Sequence, residues 1–236
     1  CHEYGKSPIP YGVNRHFKSA FGQTVEELYD EWIAKEKKLA QETRLLLEKE
    51  EITKSTALTS DGEEKGSPIF DSTGRYIYVP IGNGLDETAV YKIDLQNNKK
   101  QKLAYSNASS QVSIDRAGRL FYTRSAPHKN NYFFQDLFVL ESEDSSPRRI
   151  TQGMRTKYAA ISPKGDRAAL SVNNAGTSKL ILTDDRGNII DTLIDSPHYD
   201  QVYNLTWSPD GNRVAAVIRK EHRVDLVLID ADTKQI

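Results

Sequence analysis

Four glycine-cornered turns recur along this chain at a nearly constant interval, and that periodicity restricts the fold more than any other feature. The glycines are Gly74, Gly118, Gly165 and Gly211, spaced 44, 47 and 46 residues apart. They sit in "SPIFDSTGRYIYV" (67–79), "QVSIDRAGRLFYT" (111–123), "YAAISPKGDRAALS" (158–171) and "NLTWSPDGNRVAAV" (204–217). A large apolar residue precedes each turn: Phe70, Ile114, Ile161 and Trp207. An arginine opens the strand after it: Arg75, Arg119, Arg167 and Arg213. In the fourth copy Ser208 can bond the backbone ahead, Pro209 presets φ for a type I turn, and Gly211 takes the positive φ that releases the next strand. Asp210 is then a turn residue and needs no catalytic or metal role.

Each copy continues into a second hairpin. Third strands read "AVYKIDL", "LFVLES", "KLILTDD" and "DLVLIDA", each followed by turn residues. Fourth strands, "KQKLAY", "RRITQ" and "IIDTLID", follow in the first three copies. A four-stranded antiparallel unit of about 45 residues is the size of one β-propeller blade. Short strands also suit a sandwich, but the fixed long period argues against it. The sequence therefore predicts a mainly β chain: a partial β-propeller of four four-stranded antiparallel blades behind an N-terminal α-helical leader. The leader is expected over 1–52 and the propeller over 53–236. The blades are expected near 66–105, 111–151, 157–195 and 203–236, the last incomplete. Phe70, Ile114, Ile161 and Trp207 are expected to point into the inter-blade core.

The Ser-Pro-Asp-Gly corner followed by Asn-Arg and an apolar strand resembles the repeats of TolB-like propellers, which also occur in tricorn and prolyl-oligopeptidase-type peptidases. "RRITQG" (148–153) looks like the blade junction of that group. The resemblance covers roughly 53–236; the first two copies lack the turn proline. It implies a propeller and leaves the function open, because such propellers serve many roles.

The leader reads differently. "GQTVEELYDEWIAKEKKLAQETRLLLEKEE" has no glycine or proline between Thr24 and Ile52. Thr24 and Glu27 have capping-box spacing. Val25, Leu28, Trp32, Leu39 and Leu46 share one face at helical steps. A helix over about 24–51 is expected, roughly 42 Å long, with an apolar stripe that must dock. Residues 1–23 look mixed, interrupted by Pro8 and Pro10. "NRHFKSAFGQTVEELYDEW" resembles the closing helices of gluzincin-type metallopeptidase domains that precede TolB-like propellers in some bacterial envelope proteins. The zinc motif of such enzymes, H-E-x-x-H, is absent: His2-Glu3 is followed by Lys6 where the second histidine would stand. Any metallopeptidase centre would lie upstream of Cys1.

Other classes are excluded or left without support. A formal net charge of −1 offers no electrostatic case for nucleic acid. No apolar run approaches a transmembrane helix. Cys1 is the only cysteine, so no intrachain disulfide can form. Its position fits an acylated lipoprotein cysteine. The favoured expectation is that the chain is an excerpt with an arbitrary first residue, since the fourth blade stops where its outer strand should begin. No G-x-S-x-G elbow or phosphate loop is present. No cofactor or metal is implied. Asp184, Asp185, Asp230 and Asp232 read as turn residues, with calcium binding there as the alternative. His16 and His222 read as solvated.

Propeller topology directs attention to one side. The short turns between first and second strands, and between third and fourth, share one face. The longer loops and inter-blade connectors share the other. That second face gathers His128, Asn131, Tyr132, Phe133, Arg155, His198, Tyr199 and Lys220. Exposed aromatics beside charge suit a protein or peptide partner; the alternative is that Phe133 and Phe134 simply begin a strand. The expected function is a non-catalytic scaffold in the bacterial periplasm or envelope, belonging to a protein with an upstream metallopeptidase domain. The alternative is the gating propeller of a serine peptidase whose hydrolase domain lies outside this chain.

Overall fold

The structure, a computed structural model, describes residues 12–50, 53, 55–107, 109–129, 131–174, 176–195 and 201–235. Cys1 and His2, singled out in the sequence, lie outside the described residues. The chain divides into two compact units, Cys1–Ala57 and Leu58–Ile236.

In the first unit, α1 spans Val13–Phe21 and α2 spans Val25–Leu47. α1 was not expected. Nothing interrupts it between Gly12 and Gly22, and Gly22 ends it at φ 81°, its N–H donating to the Lys18 carbonyl. The capping box forms: Glu27 N–H donates to Thr24 Oγ1 at 3.1 Å and Thr24 N–H to Glu27 Oε2 at 2.7 Å. α2 stops at Leu47, short of the expected end, with 23 residues. Its last carbonyls are taken up by tightened turns, Lys49 N–H to Leu46 O and Glu50 N–H to Leu47 O. Val25, Trp32, Leu39 and Leu46 are exposed, and Leu28 is half-buried. His16 is half-buried in α1 instead of solvated.

The second unit is mainly β: four propeller blades in chain order, each an antiparallel sheet. Blade 1 contains β1 (Glu64–Lys65), β2 (Ile69–Phe70), β3 (Tyr76–Gly82), β4 (Ala89–Asp94) and β5 (Lys100–Tyr105). Its inner position is split, because β1 and β2 both pair with β3. Pro68, which has no N–H to donate, sits in the break. Blade 2 contains β6 (Ser113–Ile114), β7 (Leu120–His128), β8 (Tyr132–Leu140) and β9 (Arg148–Arg149). Blade 3 contains β10 (Thr156–Ile161), β11 (Arg167–Asn174), β12 (Thr177–Asp184) and β13 (Ile189–Asp195). Blade 4 shows three strands among the described residues: β14 (Gln201–Trp207), β15 (Arg213–Lys220) and β16 (Arg223–Asp230).

Neighbouring blades bury apolar faces against each other. Tyr78 and Val90 of blade 1 meet Leu120, Tyr122 and Phe138 of blade 2. Phe121, Leu137 and Val139 of blade 2 meet Ala159, Ile161 and Leu170 of blade 3. Leu180, Leu182 and Leu193 of blade 3 meet Val202, Leu205, Trp207 and Val214 of blade 4. Alternation along each strand supplies a set of apolar residues to each side of a sheet, which is how one blade can face two neighbours.

The four turns share one backbone solution despite their different sequences. Each glycine N–H donates three residues back, to the carbonyls of Asp71, Asp115, Ser162 and Ser208. The same four residues use their side chains on the N–H groups that open the next strand. Asp71 accepts from Tyr76, Asp115 from Arg119, Ser162 from Arg167 and Ser208 from Arg213. Aspartate thus does in the first two copies what serine does in the last two. The arginines then reach across blades. Arg119 Nη2 donates to the Gly165 carbonyl at 3.0 Å, and Arg167 Nη2 to the Gly211 carbonyl at 2.9 Å. Arg75 departs from this pattern and pairs with Asp94 of its own blade at 2.8 Å.

The four residues before the turns do not behave alike. Trp207 is 9% exposed and its Nε1 donates to the Ala160 carbonyl at 3.0 Å. Ile161 is buried and Ile114 half-buried. Phe70 is 60% exposed, contrary to expectation. It borders the central cleft of about 390 Å³ that the inner strands surround, where Gln111 of blade 2 bonds the Leu205 backbone of blade 4. Trp207→Ala is expected to cost about 3–5 kcal/mol in denaturant melts, as for large core aromatics. Phe70→Ala should cost less than about 1 kcal/mol, as for exposed sites. Equal losses would refute the distinction.

Burial pushes the Tyr122 phenol up to about 12 from an ordinary value of 10.0. Its ring stacks on Phe138, centroids 6.1 Å apart. The folded state holds this proton more tightly than the unfolded chain does. Stability from Tyr122 should therefore be constant below about pH 10 and fall as pH rises towards about 12. Absorbance titration at the phenolate band should show Tyr122→Phe losing the highest-pH step.

Candidate binding face

The connector-side loop of blade 2 positions most of the described candidates. β7 and β8 pair in unbroken register from Leu120 opposite Leu140 to His128 opposite Tyr132. Alternation places His128, Tyr132 and Phe134 on one face of this hairpin and Phe133 on the other. The Tyr132 and Phe134 rings lie nearly parallel, 5.9 Å apart and tilted by 6°. His128 packs on Phe134 at 5.4 Å. Arg155, from the connector between blades 2 and 3, sits with Cζ 4.4 Å from the Phe134 ring centroid. Tyr132 is 60% and Phe133 70% exposed.

A buried carboxylate fixes this connector. Asp136, in β8, accepts from Arg149 Nη2 at 2.5 Å, Thr151 Oγ1 at 2.8 Å, Gly153 N–H at 2.9 Å and Met154 N–H at 3.0 Å. Arg149 also donates to the carbonyls of Pro127 and Thr151. One charged group therefore ties the hairpin, the outer strand and the connector together. Gly153 is required where it stands. Its φ is +73°, and a Cβ would come within 2.3 Å of His128 Nδ1. Arg155 and Lys129 also hold positive φ, 58° and 50°, unusual for their residue type.

His128, Tyr132 and Arg155 thus meet around Phe134, while Phe133 projects from the other face of the same hairpin. His198 and Tyr199 lie outside the described residues. Lys220 ends β15 and is exposed. The sequence reading left Phe134, Asp136, Arg149 and Gly153 out of the site. A lone charge inside "YFFQDLFVL" was the available signal for Asp136, since a charge in an apolar strand needs partners. Further along the same side, Tyr158 and Tyr203 pack edge to face at 5.9 Å, with Lys157 beside both.

The opposite side is built from carboxylates turned inward on their own loops. Asp184 accepts from the Arg186 and Asn188 N–H groups, and Asp230 from those of Asp232 and Thr233. The Asn188 side chain foremost, with those N–H groups, holds the Asp184 carboxyl below its ordinary range; for Asp230 the Thr233 backbone leads. Among the described residues no cluster of three or more His, Cys, Asp or Glu side chains could hold a metal ion. Among the same residues no helix is long and apolar enough to cross a membrane.

No family model matches the sequence, and no curated protein matches it. Solved structures do match. TolB from Acinetobacter baumannii superposes with a TM-score of 0.59 at 18% identity, over 75% of this chain and 43% of that one. A putative TolB from Agrobacterium tumefaciens gives 0.58 at 16% identity, over 69% of this chain and 60% of that one. An oligogalacturonate lyase in complex with manganese gives 0.55 at 12% identity, over 76% and 54%. The chain thus spans less than two thirds of the length of each. At these identities the likeness shows a β-propeller fold like that of TolB-type propellers; the same fold in the lyase shows that the fold alone does not decide function.

Asp136→Ala should cost about 3 kcal/mol, because it strands Arg149 and frees two backbone N–H groups. Hydrogen exchange should quicken at Gly153 and Met154 while the inner strands of blade 4 stay protected. Unchanged protection at the connector would show that Asp136 does not organise it.

Proposed function

We propose that the chain is a non-catalytic propeller scaffold that binds a protein or peptide partner through its connector side. The observation that carries this reading is the arrangement of Tyr132, His128 and Arg155 around Phe134. Large aromatic surface is left open to solvent there, on a connector held rigid from below by Asp136. Aromatics and arginine held in place are the groups that supply most binding energy at interfaces. On the opposite side the turn carboxylates are spent on their own backbone.

The proposal extends to location and context. A TolB-type fold supports a place in the bacterial periplasm or envelope. The likeness of 14–32 to the end of a gluzincin-type domain supports an upstream metallopeptidase, for which the propeller would dock or guide substrate. H-E-x-x-H in the sequence preceding Cys1 would support that arrangement, and G-x-S-x-G following Ile236 would replace it with the serine-peptidase reading.

The test is affinity for a partner isolated from envelope extract and then purified. Tyr132→Ala and Phe133→Ala should each weaken binding by about 1–2 kcal/mol, the range of interface anchors, with an unchanged thermal midpoint. Asp185→Ala and Asn98→Ala on the turn side should leave binding intact. Loss of affinity only in the turn-side variants would reverse the assignment of faces.

A further inference from the structure

The connector that carries Arg155 runs on into β10, and a second, smaller depression opens beside it. It holds about 130 Å³ and is lined by Lys157, Asn173, Thr177, Ser178, Gln201 and Tyr203, among others. That is the room of roughly four waters in the liquid, enough for a carboxylate and its stem. The hydrogen bonds around it engage both side-chain amide oxygens. Ser178 Oγ donates to Asn173 Oδ1 at 2.7 Å, the Tyr203 hydroxyl donates to Gln201 Oε1, and Thr177 Oγ1 donates to the Asn174 carbonyl at 2.9 Å. With both amide oxygens occupied, the NH₂ groups of Asn173 and Gln201 remain as donors. Lys157 Nζ lies 5.5 and 5.7 Å from the ring centroids of Tyr158 and Tyr203, and no carboxylate pairs with it among the described residues. The depression therefore offers one ammonium and two amide donors. No carboxylate is among the described residues that line it.

The surroundings extend the pattern. The Asn173 N–H donates to the Arg155 carbonyl at 3.1 Å, so the depression and the Phe134 cluster share one stretch of backbone. Lys129 and Arg155, like Lys157, have no carboxylate partner among the described residues, while Lys179, next to Ser178, is paired with Asp195 at 2.7 Å. Three such cations on the blade 2 hairpin, the connector that follows it and the start of β10 favour several carboxylates over a single one.

We infer that the depression receives the carboxylate of a glutamate or aspartate side chain from an acidic peptide segment of the partner, with a neighbouring carboxylate reaching Arg155. Asn173 and Gln201 donate from the amide side and Lys157 supplies the charge. This rests on the reading of the connector side as the binding face and gives its ligand chemistry.

The test uses the full chain and a labelled, end-capped octapeptide of alternating glutamate and glycine, read by fluorescence anisotropy. The glutamine counterpart and sodium acetate serve as the other arms. The glutamate peptide should bind, and the glutamine peptide should bind at least about tenfold more weakly, as expected when charge-assisted bonds are lost. Lys157→Met and Gln201→Met should each weaken the glutamate peptide by several-fold or more, with the side-chain amide signals of Asn173 and Gln201 shifting on titration of the unaltered protein. Lys164→Met, which removes the same charge from the turn side, should have no effect. Equal binding of the two peptides, or equal effects of Lys157→Met and Lys164→Met, overturns the inference. So does acetate that matches the glutamate peptide in affinity, because the site would then take free small carboxylates. If Tyr132→Ala weakens the partner but the glutamate peptide does not bind, this inference fails and the binding-face reading stands. If the peptide binds through Lys157 while Tyr132→Ala and Phe133→Ala leave the partner's affinity unchanged, the pocket stands and that reading fails.

Discussion

At two of the three interfaces between neighbouring blades, the arginine of one blade holds the turn of the next. Arg119 and Arg167 each leave a strand one or two residues after a turn glycine and donate to the carbonyl of the next blade's turn glycine. Behind this polar latch lie the apolar faces that neighbouring blades bury. The latch needs the glycine in place, because a Cβ at Gly165 would come within 2.2 Å of Arg119 Nη2 and 2.3 Å of Asp115 Oδ2. A turn with positive φ and no side chain thus serves two functions. It reverses the chain inside its own blade, and it leaves a carbonyl open to the blade before it. With apolar burial at all three interfaces and the latch at two of them, stability here is a sum of interfaces between neighbours and not the property of one central core.

That economy divides the two sides of the unit. On the turn side, aspartates and serines satisfy the N–H groups of their own corners, and Arg75, Arg116, Arg119 and Arg167 are engaged by carbonyls or carboxylates. On the connector side the loops vary in length and have no repeated solution. Asp136 satisfies the connector from within, so Arg155, His128 and Lys157 are not needed to hold it and remain open to solvent or to another molecule. The polar groups available for recognition therefore collect where the repeat is weakest.

Much of this was legible in the sequence, and the exceptions have physical reasons. The glycine interval and the apolar strands implied four blades, because both follow from local turn chemistry and alternation. Serine and aspartate at the first turn position look dissimilar as letters, yet each accepts the same N–H, so the two copies without proline fold alike. Phe70 was misplaced because its equivalence to Trp207 is one of register, while burial depends on what faces the residue. β2 lies in an inner strand broken at Pro68 and borders the open cleft. α1 escaped notice because nine residues give too few turns for a periodic signal. In the candidate site, exposed aromatics could be read from loop composition, but the grouping around Phe134 could not. It arises from a long-range bond set, Asp136 with residues 13 to 18 positions later, that no local pattern encodes.

The positive φ values at Lys129 and Arg155 join the fold to the site. Such conformations cost of order 1–3 kcal/mol each for residues with a Cβ when they are strained. They persist only where the surroundings over-determine them. Around Arg155 those surroundings are explicit: Gly153 and Met154 are held by Asp136, the Arg155 carbonyl by Asn173, and the guanidinium by the Phe134 ring. A cation fixed in this way loses less freedom when a partner binds than one on a mobile loop. The positive φ values in the connector are thus held by hydrogen bonds that order it in the folded chain.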